Sequence, residues 1–132
     1  MAINYSVTQR TNPRDEMAEA KWYANAQVAS NYAFDTLCED VEKMSTATEG
    51  DVKAVLTTAL YCIVQALRRS ESVQFGDLGT FAVGLSSTGA ASEDEFTAAN
   101  IRHARVVFRP GRQLKDMAKT FQYKRVEARP HV

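Results

Sequence analysis

Three short strand-like runs, the last separated from the others by a long polar interruption, constrain this chain more than any other feature. Val73-Gln74-Phe75 and Thr80-Phe81-Ala82-Val83 flank Gly76-Asp77-Leu78-Gly79, and Ile101 to Phe108 returns to Arg109-Pro110-Gly111. Aromatic and β-branched residues bounded by glycine or proline predict strands. Gly76 and Gly79 permit the positive φ that a tight turn needs. Between Gly84 and Asn100 the chain is small and polar, then acidic at Glu93-Asp94-Glu95. It lacks the apolar residues for a core of its own. It is either a projecting two-stranded arm or a loop, and Phe96 and Ile101 favour strand on its return side.

Helical patterns precede this region. Phe34, Leu37, Cys38 and Val41 form an apolar stripe that predicts a helix over 35–44. Thr48 and Asp51 have the spacing of a capping pair, with Asp51 where Glu or Gln is usual. Val52, Val55, Leu56, Ala59, Leu60, Ile63, Val64 and Leu67 then recur three or four residues apart, the clearest element of the sequence. Its apolar face is broad enough to bury against more than one neighbour. Arg68 and Arg69 suit the helix C-terminus, where positive charge is favoured, or a phosphate contact. After Gly111, residues 112–121 read as a helix with Leu114, Met117 and Phe121 on one side. Phe121 to Val126 reads alternatively as a short strand.

At the N-terminus Ile3, Tyr5 and Val7 alternate with polar residues, which predicts a strand. Thr11-Asn12-Pro13-Arg14-Asp15 ends it. Trp22 to Val28 fits either helix or strand, and Trp22, Ala24, Ala26 and Val28 on one face favour strand. The segment 129–132 is expected to fray.

The chain has 132 residues, enough for one domain with an extension. Sixteen basic and sixteen acidic residues cancel, so total charge does not point to nucleic acid. The distribution is uneven: residues 102–132 hold nine basic and two acidic side chains, a basis for a basic face. Cys38 and Cys62 read as small buried thiols, and neither they nor His103 and His131 have metal-ligand spacing. No apolar run approaches the ~18 residues of a membrane span. No basic-then-apolar leader opens the sequence, so a cytoplasmic location is expected.

Gly76-Asp77-Leu78-Gly79-Thr80-Phe81, together with Phe108-Arg109-Pro110-Gly111, resembles the bacterial histone-like family of HU and integration host factor. The order of elements matches over about residues 34–119, and Arg112-Gln113-Leu114-Lys115-Asp116 resembles the start of the family's final helix. The resemblance implies an α+β histone-like fold: a helical homodimer body, a saddle-like sheet and projecting β-arms. It implies architectural binding and bending of double-stranded DNA through phosphates and the minor groove, with low sequence specificity, in the nucleoid. On this reading residues 1–32 are an N-terminal extension whose short strands pack on the body. Residues 33–132 are the histone-like domain, with an arm at 84–101. Asn12-Pro13-Arg14-Asp15 resembles a variant group that carries this run near its start.

The sequence departs from the family at the arm. Gly84-Leu85-Ser86-Ser87-Thr88-Gly89 holds no basic residue, no proline occupies the tip, and Glu93, Asp94 and Glu95 would repel phosphates. The resemblance carries over Arg109, Arg112 and Lys115 as phosphate contacts. Charge and position add Arg102 and Arg105. Phosphate contacts supply most non-specific affinity, so an acidic arm implies weaker or displaced binding. The alternative is a structural or protein-interaction module that keeps the family fold and has lost much of its DNA affinity. Isolated histidines and solvent-facing carboxylates give no catalytic constellation, so neither enzyme activity nor a cofactor or metal is expected.

Overall fold

The computed structural model describes residues 2–128. Along these the elements are β1 (Ala2–Arg10), β2 (Lys21–Ala26), α1 (Phe34–Met44), α2 (Glu49–Arg68), β3 (Val73–Phe75), β4 (Gly79–Ser87), a 3-10 turn (Ala98–Asn100), β5 (Ile101–Pro110), α3 (Arg112–Ala118) and β6 (Gln122–Arg125). The chain is α+β and forms two compact units, one from Met1–Ala33 with Ala118–Val132 and one from Phe34–Met117. The terminal segment 129–132, with His131, lies outside the described residues.

The first unit is a three-stranded sheet in the order β2-β1-β6. β2 runs antiparallel to β1, with Tyr5 opposite Ala26 and Gln9 opposite Trp22, so the strand reading of this ambiguous stretch holds. β6 pairs parallel with β1, Ile3 opposite Tyr123. That pairing explains why α3 stops at Ala118 instead of reaching Phe121: the following residues are drawn into the sheet. Alternation along β1 sends Ser6 to the face opposite Tyr5, where it is buried. Gln27 Nε2 donates to Ser6 Oγ at 2.7 Å, and Asn25 Nδ2 donates to Thr8 Oγ1 at 2.7 Å. These polar side chains therefore have partners, as burial requires.

In the second unit, Thr48 caps α2: its hydroxyl accepts from the Asp51 amide at 3.3 Å. Lys53 Nζ lies 3.5 Å from Asp35 Oδ1, a surface pair between α2 and α1. α1 and α2 bury Cys38 and Val52, which are the hydrophobic side chains fully removed from solvent among the described residues. Cys62, by contrast, is exposed and not the buried thiol that its neighbours suggested. α1 covers one side of α2, and Cys62 is on another. α2 also meets the length and composition of a membrane span, contrary to the sequence expectation. Thr57, Thr58, Tyr61, Gln65 and Arg68 nevertheless run a polar stripe along much of its length, which marks an amphipathic helix.

β3, β4 and β5 form an antiparallel sheet in that order. The turn between β3 and β4 uses Gly76 at φ 53° and closes with Leu78 N donating to Phe75 O at 3.1 Å. Gly111 N then donates to Leu78 O at 2.8 Å, tying the end of β5 to that turn. Gly79 lies so close to β5 that a Cβ would meet the Arg109 carbonyl and lie 2.6 Å from the Phe108 ring. Backbone on one side leaves no room to yield. Gly79→Ala should therefore lower unfolding free energy by about 1–3 kcal/mol, read by chemical denaturation. An unchanged midpoint would show that the hairpin relaxes around the added methyl.

Candidate nucleic-acid interface

The register of β4 and β5 sorts their side chains onto two faces. Phe81 stands opposite Phe108, Val83 opposite Val106 and Leu85 opposite Ala104, which makes one face apolar. The Phe81 and Phe108 rings pack at a centroid distance of 4.9 Å. The other face pairs Thr80 with Arg109, Ala82 with Val107, Gly84 with Arg105 and Ser86 with His103. β4 thus sets small, uncharged residues against the arginines of β5. Arg105 uses that space: its guanidinium lies over Gly84, where a Cβ would be 3.4 Å from Cζ, and Nη1 donates to Leu85 O at 3.4 Å.

Arg105 and Arg109 therefore share one face, four residues and roughly 14 Å apart by strand rise. No carboxylate belongs to that face of β4 or β5. Arg102 does not join them by simple alternation. The ladder shifts between Ser86 and Ser87, where β5 passes from His103 to Ile101 while β4 advances one residue, so Arg102 has no opposite partner. This bulge turns Ile101 onto the apolar face. Arg112 begins α3, is largely exposed and lies 3.7 Å from Asp116 Oδ2. Lys115 is exposed in the last turn of α3. Of the other sequence candidates, Arg69 is engaged by Glu71: its Nε donates to Oε1 at 2.8 Å. That bond holds the Glu71 carboxyl below, and the Arg69 guanidinium above, their ordinary ranges.

The polar excursion is a loop beyond a two-stranded ladder that extends to Ser87 and Ile101. Thr88 N donates to Asn100 O at 2.8 Å, and Asn100 Nδ2 donates to Thr88 Oγ1 at 3.0 Å, closing the loop at its neck. Asn100 Oδ1 also accepts from Thr97 N at 3.0 Å. Glu93, Asp94 and Glu95 lie exposed beyond this neck and form no ion pair with Arg102 or Arg105 among the described residues. Charge is therefore segregated along the arm, cationic on the ladder and anionic at the loop. Sequence spacing alone could have joined Arg105 with Arg109 by parity. The bulge that sets Arg102 apart and the Thr88–Asn100 neck left no comparable signal.

A family model described as an HU domain fused to wHTH, Ig or glycine-rich motifs, HU-HIG, matches residues 1–125. No curated protein matches the sequence. Among solved structures, the chain is similar to a Bacteroides vulgatus protein described as a candidate bacterial DNA-binding protein, with a TM-score of 0.65 at 13% identity. That likeness covers 98% of this chain and 50% of the other, so the chain spans about half its length. A point variant of HU from Thermotoga maritima is similar with a TM-score of 0.50 at 27% identity, over 65% of this chain and 97% of HU. Arg109 is exposed and has no side-chain partner among the described residues, so its side chain is removable without disturbing packing. Arg109→Ala should accordingly shift the thermal midpoint by less than the equivalent of about 0.5 kcal/mol; a larger drop would assign Arg109 a structural duty.

Proposed function

The chain belongs to the HU-HIG family, and from that premise we propose that it is a non-enzymatic architectural protein that binds and bends double-stranded DNA with low sequence specificity. The observation that carries this reading is the Arg105–Arg109 face, cationic and uninterrupted by acids. Arginines spaced along a strand suit phosphates, which position a duplex without reading its bases. Arg102, Arg112 and Lys115 are exposed and would add contacts from the bulge and from α3. The segregation of charge directs the duplex to the ladder and away from Glu93–Glu95. Minor-groove contact would then come from the lower arm. The working location is the cytoplasmic nucleoid.

The reading includes a homodimer. Val55, Leu60 and Val64 on α2 are 66%, 52% and 48% exposed, and an apolar groove is lined by Leu37, Leu56, Leu60, Ile63, Phe75 and Phe81. A helix that leaves such a face in water has not finished burying its core, and burial of each such side chain is worth about 1.5–3 kcal/mol. A second copy supplies the missing half of the core, as obligate interfaces do. Leu60→Asp should abolish both association and cooperative folding in sedimentation and denaturation. A stable, native-like monomer of the unmodified protein would defeat the dimer.

One observation favours a second reading, an interaction module: the exposed acids at the arm tip are suited to a basic protein surface. Titration of long duplex DNA across a salt series separates the two. Backbone binding should fall with salt at a log–log slope of about −0.9 per phosphate neutralised. Arg105→Ala with Arg109→Ala should flatten that slope by about one unit for every phosphate no longer engaged. No complex at low salt, or a slope indifferent to both substitutions, would favour the interaction module.

A further inference from the structure

The β2-β1-β6 sheet carries a second feature that duplex binding does not use. By register, Tyr5, Trp22 and Tyr123 stand on one face. Tyr123 neighbours Ile3, two residues from Tyr5, while Trp22 is opposite Gln9, four residues from Tyr5 in the other direction. With strands about 4.8 Å apart and a rise of about 3.4 Å, the three rings cross the sheet obliquely, one per strand, with Tyr5 roughly 8 Å from Tyr123 and roughly 14 Å from Trp22, and Ile3 and Val7 beside them on the same face. Ala24 and Ala26 are the small residues beside that line, so nothing on β2 screens the rings. Trp22 is 65% and Tyr123 69% exposed, while Tyr5 is half-buried as the middle of the row. The face holds one charged side chain, Arg125, paired with Tyr5 in the parallel ladder, and no acid.

We propose that this face is a stacking platform for the unpaired bases of a single-stranded nucleic acid, distinct from the arginine face of the arm. Every base offers a π-face, so exposed rings in a row accept a strand with little regard to sequence, and each stacked base is worth a substantial part of the affinity. Arg125 supplies the cation for the accompanying backbone, and the lack of carboxylates removes the repulsion that the arm tip carries. A second copy of the sheet is the rival occupant. The charge on the face argues against it, because self-pairing would bring Arg125 to a surface that offers no acid.

Trp22 is the single tryptophan of the chain, so its fluorescence reports on this face alone. An oligothymidine of about 12 nucleotides should quench it saturably. Tyr123→Ala and Trp22→Ala should each weaken binding of a labelled oligothymidine by about tenfold, with thermal midpoints unchanged. Arg105→Ala with Arg109→Ala should leave the quenching in place even if it abolishes duplex binding. That variant also separates failure here from failure of the duplex reading. Three results would overturn the platform: no quenching at low salt, oligothymidine affinity abolished with the arm arginines but kept with Trp22→Ala, or concentration-dependent self-association that Trp22→Asp abolishes in a protein blind to oligothymidine.

Discussion

The contact on which the arm depends is the approach of the Gly76–Gly79 turn to the end of β5. Gly79 accepts the Phe108 ring and the Arg109 carbonyl in the space a side chain would fill, and Gly111 does the same against the Asp77 carbonyl. Glycine is required because backbone, not a yielding side chain, is what approaches. This contact sets the register in which Phe81 meets Phe108. Parity then propagates along the ladder, since a one-residue slip would exchange the two faces. Arg105 and Arg109 share a face by their spacing along β5, and the register that the two glycines permit decides which residues of β4 stand opposite them.

What was legible in the residues was what local chemistry dictates. Thr48 announced the start of α2, the glycines announced the turn, and apolar periodicity announced the long helix. Two things were hidden. The β5 bulge is a difference of one residue between partners, and no pattern in Arg102 or His103 encodes it. The exposure of Cys62 depends on which side of α2 receives a neighbour, a tertiary fact that a broad apolar stripe leaves open. Of the candidate site, the arginines could be named from charge and from the family resemblance. Spacing already joined Arg105 with Arg109 and set Arg112 and Lys115 on a helix, whereas the separation of Arg102 required the register.

The arm also shows how electrostatic sign is handled within a short length of chain. Carboxylates at its tip and guanidiniums on its ladder lie on opposite sides of the hydrogen-bonded neck at Thr88 and Asn100. The hydrogen bonds that close the neck fix where the arginine-bearing ladder ends and the acidic loop begins. Near-zero total charge is therefore compatible with a local cationic surface, since screening limits interactions between exposed charges to about 8 Å at physiological salt.

The parallel pairing of β1 with β6 has a consequence for the order in which the molecule is made. Ile3 leaves the ribosome well before its partner Tyr123, with the whole of the intervening chain made in between. The unit Phe34–Met117 is continuous in sequence and dominated by nearer pairings, such as the β3–β4 hairpin. Loop closure over long separations is slow, so the continuous unit has a head start and the β2-β1-β6 sheet completes last. Until then β1 holds β2 on one edge and an unsatisfied backbone on the other, an open edge of the kind that other strands recognise. The nascent protein is most vulnerable to mispairing at the edge that β6 will close.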